Sequence, residues 1–255
     1  MLQTPTDTIA LAPIATAVLA VEGTHNFRST AGYAASTRAI RPGSLFRSDA
    51  LHRLSDAGSR QLVEHGIVRI IDLRTTEELA EAPSALVAAG VETVHHPIFG
   101  SAGVPLANGS ITLAELYRHM IDERTERLTG ALRLIVDAPA GGVLVHCTAG
   151  KDRTGLVVAA ALLAVGVERD QVVADYAASG DNLAGEWSQR ILAATAERFG
   201  DLSSAVQELL LASPADALEA TLDHIDARFG GIVPMLSAHG FTETELARLR
   251  ARLLD

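Results

Sequence analysis

Residues Val143 to Gly155, V-L-V-H-C-T-A-G-K-D-R-T-G, constrain this chain more than any other stretch. Val143 to His146 is a short apolar strand pattern, and Arg153 to Val165 (RTGLVVAAALLAV) is an apolar helix pattern ended by Gly166. Between them lies a short loop of small and charged residues. A strand and a helix this apolar must both be buried, the strand inside a sheet and the helix packed on it. Ligands of open α/β sheets bind at the C-terminal ends of strands, beside helix N-termini. The stretch therefore predicts both an α/β fold and the edge of that fold where function sits.

The rest of the chain agrees. Ser55 reads as the N-cap of a helix that runs to His65 and stops at Gly66, followed by the β-branched strand Ile67 to Leu73. Thr75 or Thr76 caps another short helix, and Val91 to Ile98 reads as the next strand. Thr112 with Glu115 forms a capping box for one long helical segment reaching about Val136. From Glu168 onward every segment reads as helix, with a second capping box at Thr242 and Glu245. The expectation is an α/β fold: a mostly parallel central sheet flanked by helices, with a helical C-terminal region placed to act as a lid. No repeat or Pro/Gly-rich linker divides the chain, so residues 1–255 are read as one domain.

The loop after the strand carries chemistry. A helix N-terminus offers unpaired amides and partial positive charge, which suits a phosphate dianion. Ala149 and Gly150 are small enough for the backbone to curl with its amides facing one point. Arg153, six residues after Cys147, can present a planar fork to two phosphate oxygens. The same positive field favours the Cys147 thiolate, the competent nucleophile. Thr154 can donate a hydrogen bond to the sulfur, and His146 can orient the loop. The residues Thr148, Ala149, Gly150, Lys151 and Thr154 are thus candidate phosphate contacts. Cys147 is the only cysteine and Lys151 the only lysine, the other 20 basic residues being arginine, yet the two lie four positions apart. The bland alternative, a buried structural cysteine, does not explain that pairing.

Cys-x5-Arg-Thr preceded by histidine resembles the signature of the cysteine-dependent protein tyrosine phosphatase superfamily. The string HCTAGKDRTG is similar to its bacterial branch of the mycobacterial tyrosine phosphatase B type. Further segments agree with that branch: NFR at Asn26 to Arg28, RPGSLFRSDAL from Arg41, IDLRT from Ile71 and ADY at Ala174 to Tyr176. The resemblance covers the chain from about residue 20 to its end. It implies a phosphomonoester hydrolase that forms a phosphocysteine on Cys147, with no cofactor and no metal.

Most members of that superfamily carry an aspartic acid on a separate loop to protonate the leaving group. Here no carboxylate occurs from Pro97 to Ser110. Asp152, inside the phosphate loop, is the first candidate for the acid, its rival role being a salt bridge or helix cap. Lys151 and Arg153 favour its ionised form, while a bound phosphate dianion opposes them, so an optimum on the acidic side of neutral is expected. Asp72 is the second candidate, more commonly the anchor of a loop, and Asp175 and Asp181 rank below it. Arg28, Arg47 and Arg74 are expected as structural ion-pair partners rather than substrate contacts. His95, His96 and His119 lack the spacing of a metal site and are expected as solvated or core histidines.

Phosphotyrosine is the first-choice substrate, since a deep pocket selects its long side chain. A phosphoinositide or broader dual-specificity phosphatase is the rival, because Lys151 adds charge for an extra phosphate unless it binds the protein's own carboxylates. An inactive phosphate-binding module and a sulfurtransferase are the more remote alternatives, the second opposed by the x5-Arg-Thr spacing. Aromatic residues make up 4% of the chain and the net charge is −10, which argues against a nucleic-acid partner. The apolar run from Ile9 to Val21 is interrupted by Pro13 and preceded by no Lys or Arg, unlike a signal peptide, and is too short to span a membrane. It is read as an edge strand or ordered arm, and the chain as cytoplasmic unless exported by a signal-less route. If the helical C-terminal region forms a lid, that lid shields the thiolate from oxidation, and deleting part of Asp201 to Ser213 should remove the protection.

Overall fold

A computed structural model describes residues 18–100 and 111–255. Residues 9–17 of the run from Ile9 to Val21 lie outside these residues, as does most of the loop from Pro97 to Ser110; residues 18–21 form no strand, and Val21 is buried in the smaller core.

The sheet grows from its most apolar strands. β5 (Ile67–Asp72) and β7 (Gly142–His146) pair in parallel at its centre. β4 (Leu45–Ser48) adds parallel to β7, and β6 (Glu92–His95) adds parallel to β5. β1 (Arg28–Ser29) closes one edge antiparallel to β4, giving the order β1-β4-β7-β5-β6. β2 (Ala34–Ala35) and β3 (Arg38–Ala39) form a separate small ribbon. β6 is shorter than the apolar run from Val91 to Ile98: Pro97 has no amide to donate, and Ile98 turns back to the Leu73 carbonyl.

Alternation sorts the strand residues between two faces. Ile71, Val143 and Val145 join the larger core with α4 (Thr125–Val136) and α5 (Asp152–Ala164). Phe46, Ile70 and Leu144 join the smaller one with Leu62 of α1 (Asp56–Glu64). Each fully buried Leu, Ile or Val contributes about 1.5–3 kcal/mol of transfer free energy. α5 is buried on nearly all sides, from Arg153 to Leu162, because the sheet covers one flank and α4, α6 (Arg169–Asn182) and α10 (Ile232–Ala238) cover the others.

α1 begins at the predicted Ser55 cap, whose hydroxyl accepts from the Gly58 amide. α2 (Thr76–Glu81) begins at Thr75 in a full capping box with Glu78. The segment expected as one helix from Thr112 to Val136 is two, α3 (Leu113–Glu123) and α4, broken at Arg124. The Thr125 hydroxyl takes the Ile121 carbonyl there, so a side chain competes with the backbone ladder at the break. The C-terminal part is helical as expected: α6, α7 (Glu186–Phe199), α8 (Ser204–Leu211), α9 (Ala215–Phe229), α10 and α11 (Glu243–Leu253).

Candidate active site

Parallel register brings the C-terminal ends of three strands level: Ser48 of β4 and Asp72 of β5 both flank His146 of β7. The chain leaves β7 at Cys147 and enters α5 at Asp152, so the intervening loop sits at the sheet's carboxyl edge in front of a helix N-terminus.

The carbonyls of that loop are held from outside. Thr148 O accepts from the Ala50 amide at 3.0 Å, Ala149 O from Asn26 Nδ2 at 3.0 Å, and Gly150 O from Arg47 Nη2 at 2.7 Å. The amides of Thr148 to Asp152 meet no acceptor among the described residues. Carbonyls pulled outward and amides left free make an anion-binding concavity. Gly150 is required for this shape: its φ is +68°, and a Cβ there would lie 2.1 Å from the Ser48 carbonyl oxygen.

Beneath the loop lies a buried ion cluster. Asp175 takes both Arg28, at 3.1 Å, and Arg47, and also accepts from Tyr33 at 3.0 Å. Burial works against the Asp175 carboxylate, but the charges of Arg47 and Arg28 and their hydrogen bonds hold its pKa below the usual range. Arg28 and Arg47 are thus structural ion-pair partners, and Asp175 is buried away from the cleft as their counter-ion. Asp72 is similarly buried against Arg74 at 2.6 Å, with His146 Nε2 at 3.6 Å. Asp72 braces the loop that follows β5. Burial lowers the pKa of His146 and keeps the ring neutral, with its Nδ1 3.2 Å from the Cys147 carbonyl oxygen. Asp181, near the end of α6, does not line the cleft.

Cys147 lies at the floor of a cleft of about 140 Å³, small against the volumes typical of drug-sized sites. Thr148, Asp152, Arg153 and Glu78 supply its polar lining, while Phe99, Leu116, Ala149, Trp187, Ile191, Leu209 and Leu210 form apolar walls. Trp187 and Ile191 belong to α7 and the two leucines to α8, so the C-terminal helices cover the site. Thr154 is fully buried, and its hydroxyl has no hydrogen-bond partner among the described residues. Lys151, 1% exposed, is not itself part of the cleft lining: its ammonium donates to Asp152 Oδ1 and to the Leu209 carbonyl, each at 3.0 Å.

Glu78 is the polar residue that sequence reasoning missed. It receives both terminal nitrogens of Arg153, at 2.5 and 2.7 Å, together with the Thr148 hydroxyl. Burial opposes its charge, yet the hydrogen bonds and charge of Arg153, with the Thr148 hydroxyl and the Thr75 amide, hold its pKa down at about 2. Gripped end-on, the guanidinium keeps its Nε edge for another anion. The signal was available: a carboxylate in the first turn of the helix after β5 faces the same sheet edge as Cys147. Glu78→Gln is expected to lower kcat/KM by roughly 10- to 100-fold, the worth of a charge-assisted hydrogen bond. Steady-state kinetics decide it, since an increase would make Glu78 a competitor for Arg153 rather than its holder.

His95 and His96 each bond a backbone carbonyl, of Arg74 and Arg127, and His119 lies 3.4 Å from Glu123. No group of three or more His, Cys, Asp or Glu side chains suited to a metal occurs among the described residues. Nor is any described helix long and apolar enough to cross a membrane.

A sequence profile described as "Tyrosine phosphatase family" matches residues 19–255. The chain belongs to that family. It is 32% identical to the triple specificity protein phosphatase PtpB of Mycobacterium tuberculosis, over 93% of this chain and 99% of that one. It is 30% identical to a putative tyrosine-protein phosphatase of Cupriavidus necator, over 96% and 94% of the two chains. A tyrosine-protein phosphatase of Nostoc commune is 27% identical, over 84% of this chain and 76% of its own. The chain is accordingly a phosphoric monoester hydrolase of the tyrosine phosphatase class.

Proposed function

We propose that this enzyme hydrolyses phosphotyrosine in proteins by two displacements at phosphorus. The Cys147 thiolate attacks in line while the amides of Thr148 to Asp152 and the Nε edge of Arg153 hold the equatorial oxygens. Asp152, on the cleft wall, protonates the leaving phenol, and the Thr154 hydroxyl stabilises the sulfur when water later displaces it. The observation that carries this reading is the cleft itself. Its floor holds Cys147 and Arg153, and its walls are Phe99, Leu116, Trp187 and Ile191. Apolar walls above an anion-binding floor fit a phosphate borne on an aromatic ring.

A phosphoinositide or broader specificity is the second reading, supported by the description of the M. tuberculosis relative as triple-specific. Against it stands Lys151, whose ammonium is spent on Asp152 and α8 rather than offered to a second phosphate. A cytoplasmic setting fits a lone reactive cysteine, which reducing compartments preserve. The test compares initial rates on a phosphotyrosine peptide, a phosphoserine peptide and a monophosphorylated phosphoinositide at equal concentration. Phosphotyrosine turnover at least about tenfold faster, or 1.4 kcal/mol in the barrier, is expected. Lipid turnover equal to or above it would move the assignment to the second reading.

A further inference from the structure

Asp152 Oδ1 is already occupied in this structure. The Tyr117 hydroxyl donates to it at 2.6 Å and the Lys151 ammonium at 3.0 Å. Asp152 Oδ2 has no hydrogen bond among the described residues, and Asp152 lines the cleft. Tyr117 comes from α3 and Tyr176 from α6; their hydroxyls are 2.5 Å apart and their rings meet edge to face at 6.0 Å. Burial, then the Asp152 charge and the Tyr176 hydroxyl, push the Tyr117 phenol well above its ordinary pKa. It is therefore neutral and remains a donor. With Asp152 as its acceptor, its oxygen is left to accept from Tyr176.

We propose that Tyr117 is a positioning residue for proton transfer: with Lys151 it holds Oδ1 of Asp152, so that the acid's proton is carried on Oδ2, facing the cleft. The proposal rests on the reading of Asp152 as the acid. An oxygen that accepts two hydrogen bonds is the carbonyl-like oxygen of a carboxylic acid, and the proton goes to the other. In the first step the S–P bond forms and the P–O bond to the leaving group breaks, while Oδ2 gives its proton to the departing oxygen. In the second step water attacks phosphorus, the S–P bond breaks, and Oδ2 takes a proton from that water. The protein returns with a thiolate and a protonated Asp152. Lys151 also donates to the Leu209 carbonyl of α8, so the seating of the cover and the orientation of the acid share one ammonium.

The experiment compares kcat/KM, which reports through the first step, for phenyl phosphate and 4-nitrophenyl phosphate. Phenol is a poor leaving group that needs the acid; 4-nitrophenolate leaves with little help. Tyr117→Phe is expected to lower kcat/KM for phenyl phosphate about tenfold, the upper end of what one hydrogen bond contributes. The same variant should leave 4-nitrophenyl phosphate within about twofold, well under 1 kcal/mol. Asp152→Asn should show the same selective loss, larger, at about 100-fold or more. Tyr176→Phe, which keeps the bond between Tyr117 and Asp152, should fall between wild type and Tyr117→Phe. If Asp152→Asn spares both substrates, the acid assignment fails and this proposal with it. If Asp152→Asn is selective but Tyr117→Phe affects both substrates equally or neither, Tyr117 does not position the acid. Should Tyr117→Phe not fold, Lys151→Met removes the other donor to Oδ1 and is judged by the same two rates.

Discussion

Cys147→Ser is expected to lower kcat/KM on a phosphotyrosine peptide by at least about 10⁴-fold, since loss of a nucleophile removes the whole covalent route. The substitution changes one atom. A serine hydroxyl is not ionised near neutral pH even at a helix N-terminus, whereas a thiol there readily is. Binding should survive, because it depends on other groups: the free amides of Thr148 to Asp152, the Arg153 guanidinium and the apolar walls. Those amides stay in place because their carbonyls are tied to Ala50, Asn26 and Arg47, through bonds that do not involve the sulfur. Calorimetric titration of Cys147→Ser with the phosphotyrosine peptide should thus give a Kd close to the wild-type KM or below it. Residual turnover above about a tenth of wild type would place the nucleophile elsewhere, because a serine at this position supplies no comparable attack. Lost binding together with lost turnover would mean that the substitution had collapsed the loop.

What could be read from the sequence follows the range of the interactions involved. The central strands are runs of β-branched and apolar residues buried on both faces, a signal that local pattern carries. The start of α1 at Ser55 and the turn at Gly66 are local too. The break at Arg124 left no trace, because the apolar spacing of Leu116, Met120, Leu128 and Leu132 continues across it. β1, β2 and β3, of two residues each, are too short to show a period. The site divides in the same way. Cys147 to Thr154 were legible because strand, loop and helix are contiguous. Glu78 reaches Arg153 from 75 residues away, and Tyr117 reaches Asp152 from 35. Glu78 also serves its own helix as a capping-box residue, so its local role hid its distant one. The ADY segment was visible as a motif, but that Asp175 joins Arg28 to Arg47 under the phosphate loop required the fold.

That junction yields the largest expected loss of stability. Asp175→Ala should lower the unfolding free energy by about 3–5 kcal/mol, the cost of leaving buried charge without its counter-ion. Both arginine side chains have 0% exposure, so neither can turn to water without opening the contact between α6 and the sheet. Arg47 would still hold the Gly150 carbonyl, and Arg28 would keep the Ser179 hydroxyl. The variant should therefore fold at low temperature yet unfold much earlier in denaturant. The acid limb gives a second readout. The folded pKa of Asp175 lies below its ordinary value of 3.8, so its stabilisation is complete above that value and is lost as pH falls through the folded pKa. Wild-type stability should decline below about pH 4, and Asp175→Ala should decline less steeply there, the other carboxylates with lowered pKa, Glu78, Asp72, Glu115 and Glu245, supplying the slope that remains. Urea titrations at pH 7 and pH 3 measure both effects. A loss under about 1 kcal/mol at pH 7, the level of a surface pair, would show that the arginines find other partners and that Asp175 does not hold the floor of the site together.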